Sequence, residues 1–125
     1  MNKKILLIDD EEIVVKSMSK LLGKEGYDVF VCRSGEEAVE KVRSDTPDLI
    51  VCDMRMPKMS GVEVIRTIRG MLQSTKRRAV PEILITGYAE EDMSKEAEAL
   101  QVADYIYKPF DIRDFLSCVK KNVGD

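Results

Sequence analysis

Apolar residues fall along this chain in two alternating rhythms: short unbroken runs, and longer stretches in which they recur every three or four positions. The first run, Lys4 to Ile8, reads as a strand. Ile13, Val14, Ser17, Met18, Leu21 and Leu22 then follow at helical spacing until Gly23 and Gly26 stop them. Tyr27 to Cys32 repeats the strand rhythm, and Ser34-Gly35-Glu36-Glu37 has the spacing of a capping box, which predicts a helix turning Ala38, Val39 and Val42 inward before Thr46-Pro47 closes it. A third unit pairs the run Leu49 to Cys52 with a loop from Met54 to Ser60. A second box, Ser60 to Glu63, then opens a helix with Val62, Ile65, Ile68 and Leu72 on one side. Gln73 to Val80 is a polar, basic connection that Pro81 ends, and Glu82 to Thr86 is the fourth strand. A weaker helix, Asp92 to Leu100, has Ala97 and Leu100 as apolar positions; the fifth strand is Asp104 to Tyr107. After the turn at Lys108-Pro109-Phe110, Asp111 caps a last helix striped by Ile112, Phe115, Leu116 and Val119.

Strands apolar on both faces, alternating with amphipathic helices, imply an α/β fold: a parallel sheet with helices on either side. No repeat, linker or low-complexity segment interrupts the alternation, so one domain over residues 1–125 is expected. A chain of 125 residues can bury a core without disulfides or a structural metal. Its net charge of −3 gives no general attraction to nucleic acid or anionic membrane. No apolar stretch approaches the roughly 18 residues that span a bilayer, and the first run is too short for a secretory signal, so a cytoplasmic location is expected. Cys32, Cys52 and Cys118 are odd in number and widely spaced, which suggests neither a disulfide framework nor a zinc site. Histidine is absent, removing the usual general base and the commonest metal ligand.

What chemistry remains lies at the strand ends. Asp9-Asp10 follows the first strand, Asp53 the third, Thr86 the fourth and Lys108 the fifth. In an open parallel sheet these ends share one edge, where ligands of such sheets bind. Each residue has a plainer reading when taken singly: the acids could begin helices, and Asp53 or Thr86 could bond its own backbone. Together they are harder to explain away. Two carboxylates ~4 Å apart repel by ~4 kcal/mol at an effective dielectric of 20, so three need a cation or a proton between them. Magnesium suits an all-oxygen ligand set, whereas zinc prefers nitrogen or sulfur. Lys108 precedes Pro109, which holds it extended and gives its peptide bond a substantial chance of being cis, so its ammonium can be aimed back over the strand ends. A phosphoryl group on Asp53 would then be neutralised by metal on one side and Lys108 on the other, with Thr86 and backbone N–H groups on the remaining oxygens.

Asp9-Asp10, Asp53, Met56-Pro57-Lys58-Met59-Ser60-Gly61, Thr86 and Lys108-Pro109-Phe110 occur in an order and spacing that resemble the response-regulator receiver domain of two-component signalling, over the whole length of the chain. The resemblance implies a flavodoxin-like, doubly wound sheet of five strands in the order 2-1-3-4-5 with five helices. It also implies that Asp53 is the phosphoacceptor, that Asp9, Asp10, Asp53 and the backbone carbonyl of Arg55 hold Mg²⁺, and that Thr86 and Lys108 bind the phosphoryl group. By the same resemblance the donor is a phosphohistidine on a histidine kinase or phosphotransfer protein, or a small phosphodonor, and water later resets the site. Thr86 and Tyr105 are the implied switch residues, acting on the surface of the fourth helix, fifth strand and fifth helix toward a downstream protein or effector domain. Receiver-like action would make this a signalling domain that assists its own modification rather than a turnover enzyme.

Two departures stand at the mouth of the site. Arg55 lies two residues after Asp53, and Tyr88 two after Thr86; their bulk and charge are expected to tune dephosphorylation. Lys76, Arg77 and Arg78 read as a solvated basic loop, and Tyr27 and Phe30 as core. A haloacid-dehalogenase-like, Mg²⁺-dependent phosphatase also uses an aspartate nucleophile, but Asp53-Met54-Arg55 puts a cation where its second acid belongs. A nucleotide-binding module is weaker still, because neither a Gly-x-Gly-x-x-Gly turn nor a Walker-type glycine loop follows any strand. A receiver-like domain that is never phosphorylated is the bland alternative, and homodimerisation through the fourth-helix to fifth-helix face is open but unsupported.

Overall fold

Side chains along a strand alternate between the two faces of the sheet, and in this protein each face meets its own set of helices. The computed structural model describes residues 2–87 and 91–124, with side chains throughout except at 91–94. Its elements are β1 (Lys4–Ile8), α1 (Glu12–Lys24), β2 (Asp28–Cys32), α2 (Gly35–Ser44), β3 (Leu49–Asp53), α3 (Gly61–Ser74), β4 (Glu82–Gly87), α4 (Glu91–Leu100), β5 (Asp104–Lys108) and α5 (Ile112–Val123). The strands form one parallel sheet in the order β2-β1-β3-β4-β5, as the resemblance implies.

Leu6, Ile8, Ile50, Cys52 and Leu84 point to one face, where they pack with Ala38 and Val42 of α2, Val62, Ile65 and Ile68 of α3, and Ala97 and Leu100 of α4. Ile5, Leu7, Leu49, Val51, Ile83 and Ile85 point to the other, against Met18 and Leu22 of α1 and Phe115 and Val119 of α5. Most of these side chains are wholly buried. Each buried Leu, Ile, Val, Met or Phe among them contributes about 1.5–3 kcal/mol relative to exposure, and the sheet is thereby clamped between two apolar layers.

Three helix starts follow their sequence signals, whereas Gly23 does not stop α1, which runs through it to Lys24. Ser60 and Glu63 form the full reciprocal box, Ser34 accepts from the N–H of Glu37, and Asp111 accepts from the N–H of Arg113. Several expectations are corrected. Ile13 is 82% exposed and Ser17 is exposed too; the buried stripe of α1 is Val15, Met18 and Leu22, whose spacing of three and four sets the inward face and turns Ile13 and Ser17 away from it. Ile112 is exposed at the start of α5, whose buried stripe is Phe115, Val119 and Val123. β2 is an edge strand, not apolar on both faces, and Val31 is exposed. The helix before the basic connection runs on to Ser74.

That connection is not a free loop. Arg77 donates to the carbonyl of Val42 at 2.6 Å and to Thr46 Oγ1 at 3.1 Å, so it satisfies a carbonyl at the end of α2. Arg78 donates to the Pro47 carbonyl and to Asp48, whose other oxygen accepts from the N–H of Lys4. Nearby, Arg69 grips Glu82 with two bonds of 2.8 and 2.6 Å and donates to the carbonyl of Leu100 at 2.7 Å. The edge of the sheet where the strands begin is thus laced with satisfied charge. At the opposite edge, among the described residues, several carboxylates gather around one ammonium.

Candidate functional site

Register alone brings the acids together. Ile8 lies beside Cys52 and Asp53 beside Ile85, so Asp9, one step beyond Ile8, reaches the level of Asp53 on the neighbouring strand. Asp9 continues the parity of Ile5 and Leu7, and Asp53 that of Leu49 and Val51, so both belong to the face that meets α1 and α5. Lys108 ends β5 with the parity of Ile106, on that same face. Convergence of residues about a hundred positions apart therefore follows from strand order and period.

Asp9, Asp10 and Asp53 each present a carboxylate oxygen, and these atoms lie within 4.8 Å of one another. Asp9 and Asp53 are buried, Asp10 half-buried. Lys108 Nζ stands 3.4 Å from both oxygens of Asp53 and 3.2 Å from Oε1 of Glu11, across a cis Lys108-Pro109 bond. Asp9 Oδ1 accepts from the N–H of Glu11 at 3.0 Å, while its Oδ2 is buried with no hydrogen-bond partner. Arg33 donates to the Asp10 carbonyl at 3.1 Å. Burial raises the carboxyl of Asp53 from its ordinary value to about 6, the Asp9 charge adds to the effect, and Lys108 and the N–H of Arg55 oppose it. Burial likewise raises Asp9. For Lys108, burial disfavours the ammonium but Asp53, Glu11 and Asp9 outweigh it, and the net shift is upward.

The backbone beneath Asp53 depends on Gly61. Its N–H donates to the Met54 carbonyl at 2.9 Å, and a Cβ there would lie 2.5 Å from the Asp53 carbonyl oxygen. A side chain at this position would push the loop that carries Asp53. Gly61 thus packs as a shelf under the acid, while Pro57 and Lys58 of the preceding loop are exposed.

A family model for the response regulator receiver domain matches residues 5–120. The chain belongs to that family. Its relatives include the alkaline phosphatase synthesis transcriptional regulatory protein PhoP of Bacillus subtilis, 38% identical over 96% of this receiver and 48% of PhoP. They also include sporulation initiation phosphotransferase F of the same organism, 33% identical over 97% of this receiver and 94% of that protein. The receiver spans about half the length of PhoP and nearly all of the phosphotransferase. Among solved structures it superposes with a TM-score of 0.86 on the receiver domain of sensor histidine kinase PA1611 from Pseudomonas aeruginosa PAO1, which was solved with a magnesium ion coordinated in its active-site cleft; identity is 25% and both chains are covered in full.

The acids of this receiver fit a hard divalent cation. The donor set is all oxygen, the carboxylates crowd each other at low dielectric, and Asp9 Oδ2 is an orphaned buried acceptor. Thr86 is buried at the end of β4, one position beyond the residue that pairs with Asp53, and on the parity of Leu84. Arg55 is exposed in the loop after β3. Tyr105 is half-buried, its hydroxyl donating to the Ala97 carbonyl of α4 at 2.6 Å. Tyr88 lies outside the described residues. The residue missed by the sequence reading is Glu11. A third acid in the run Asp9-Asp10-Glu11-Glu12 gives little sign that one side chain reaches Lys108, 97 positions away.

Proposed function

We propose that residues 1–125 form one receiver domain in which Asp53 accepts a phosphoryl group from a phosphohistidine of a partner histidine kinase or phosphotransfer protein, or from a small phosphodonor. The single observation that carries this is the buried Asp53 carboxylate set against Asp9 and Asp10 on one side and the Lys108 ammonium on the other. A carboxylate oxygen of Asp53 attacks phosphorus as the P–N bond breaks, and the leaving imidazole takes up a proton. Asp9, Asp10, Asp53 and the carbonyl of Arg55 would hold Mg²⁺, which when bound neutralises the carboxylates and the phosphoryl oxygens. Lys108 neutralises the transferring group from the other side, and Thr86 donates to a phosphoryl oxygen as charge grows there. Hydrolysis of the acyl phosphate returns the carboxylate.

The product places roughly two negative charges where one stood, and that change biases two conformations of the domain. Thr86 at the end of β4 and Tyr105 on β5 are the proposed switch residues. Tyr105 is already bonded to α4, so a shift in its ring would be felt on the surface of α4, β5 and α5. That surface is the proposed contact for a downstream protein or effector domain. The domain acts on itself rather than turning over a substrate, and is proposed to work in the cytoplasm; among the described residues no helix is long and apolar enough to cross a membrane.

Incubation with acetyl phosphate and Mg²⁺, read by intact mass, should add one phosphoryl group to the parent and none to Asp53→Asn. A parent that stays unmodified would remove the proposal in favour of a receiver-like interaction domain, and steady turnover of small phosphate esters would favour the phosphatase. Arg55, exposed in the loop after Asp53, is proposed to tune dephosphorylation. An Arg55→Ala variant that loses its phosphoryl group at the parent rate would dismiss that role.

A further inference from the structure

A helix N-cap is normally held by a side chain that accepts from the first turn, worth about 1 kcal/mol when Ser, Thr, Asp or Asn supplies it. Glu11 occupies the N-cap of α1 but makes no such bond. Its carboxylate instead crosses the site to Lys108 at 3.2 Å, nearer than Lys108 stands to Asp53, while its N–H orients Asp9. We propose that Glu11 is a positioning residue that holds part of the Lys108 ammonium away from Asp53 in the unmodified protein and releases it when a phosphoryl group arrives; this rests on Asp53 being the phosphoacceptor.

The physical case follows from competition for one cation. An ammonium wholly paired with Asp53 would shield the nucleophile and fill the space where phosphoryl oxygens must sit. Sharing it with a second carboxylate leaves Asp53 partly uncovered. Glu11 is 56% exposed and Lys108 only 29%, so on release Glu11 returns to water while Lys108 remains beside Asp53. Exposed pairs of this kind contribute little, so the release is easy. Glu11 nonetheless stabilises the unmodified state relative to the modified one, through its hold on Lys108.

Two variants separate this role from plain charge and plain structure. Glu11→Gln removes the charge at equal length. Glu11→Asp keeps the charge, but is one methylene short for Lys108 and is of the type that caps helices. With Mg²⁺ and beryllofluoride as the phosphoryl analogue, both should bind the analogue about two- to fivefold more tightly than the parent, the range an exposed ion pair allows. In metal-free buffer Glu11→Asp should melt at or above the parent and Glu11→Gln no higher than it. Parent-like or weaker binding by both variants would overturn the inference. So would a gain confined to Glu11→Gln, which means simple repulsion, and so would affinities that follow the melting temperatures, which means helix capping alone. If the parent itself takes no analogue, the reading of Asp53 fails as well.

Discussion

Asp53 is the residue at which burial, charge and chemistry meet. Its carboxyl is pushed up to about 6 by burial and by Asp9, so the folded protein holds that proton more tightly than the unfolded chain does. Stability linked to Asp53 is therefore fully present below the ordinary carboxyl range and is lost as pH rises through about 6. In metal-free buffer, Asp53→Asn should melt above the parent at pH 7.5, by up to about 3 kcal/mol, and the difference should vanish toward pH 4. A parent that is the more stable at pH 7.5 without metal would contradict this. Gly61→Ala tests the shelf beneath the same residue: a Cβ 2.5 Å from the Asp53 carbonyl should destabilise the fold by about 1–3 kcal/mol and slow phosphorylation, and an unchanged melting curve would show that the loop yields freely. Asp9, Asp53 and Lys108 could be placed from the sequence because strand period and order determine where they point. Glu11 could not, since its role depends on a forgone cap and on the exact reach of one side chain.

Helix α4 shows what holds a weak element. Its described buried apolar residues are Ala97 and Leu100, and two of its carbonyls are gripped from outside, Ala97 by the Tyr105 hydroxyl and Leu100 by Arg69. Arg69 is itself fixed by the buried Glu82 at the start of β4, the strand that ends in Thr86. Arg69→Met should cost about 3 kcal/mol in urea denaturation because it strands Glu82, and replacing Glu82 by Leu as well should recover most of it. A loss under 1 kcal/mol in the single variant would show that the pair is solvated. The elements themselves were legible from apolar periodicity, with errors in which residues face inward, such as Ile13, Ser17 and Ile112, at the edge strand β2, and in where helices end. The basic stretch around Arg77 and Arg78 read as a solvated loop because polarity is local, whereas its partners, Val42, Thr46, Pro47 and Asp48, are some 30 residues away in sequence.

Among the described residues, the two edges of the sheet carry charge in different ways. Where the strands begin, Arg69, Arg77, Arg78 and Lys4 are paired with Glu82, Asp48, Asp45 and backbone carbonyls. Where they end, Asp9, Asp10, Glu11 and Asp53 gather around the ammonium of Lys108. The first edge stabilises the fold, and at the second the described carboxylates crowd together within 4.8 Å, which suits it to bind a cation and then an anionic group. Mg²⁺ should accordingly raise the stability of the parent, by about 2.7 kcal/mol at a hundredfold excess over its Kd, and should do so less for Asp53→Asn. An equal rise in both would place the metal elsewhere. The phosphoacceptor can be marked chemically, because borodeuteride reduces an aspartyl phosphate to deuterated homoserine. After treatment with acetyl phosphate and Mg²⁺, peptide mass mapping should find that label at Asp53 and nowhere else; label at Asp9, Asp10 or Glu11, or none at all, would contradict the assignment.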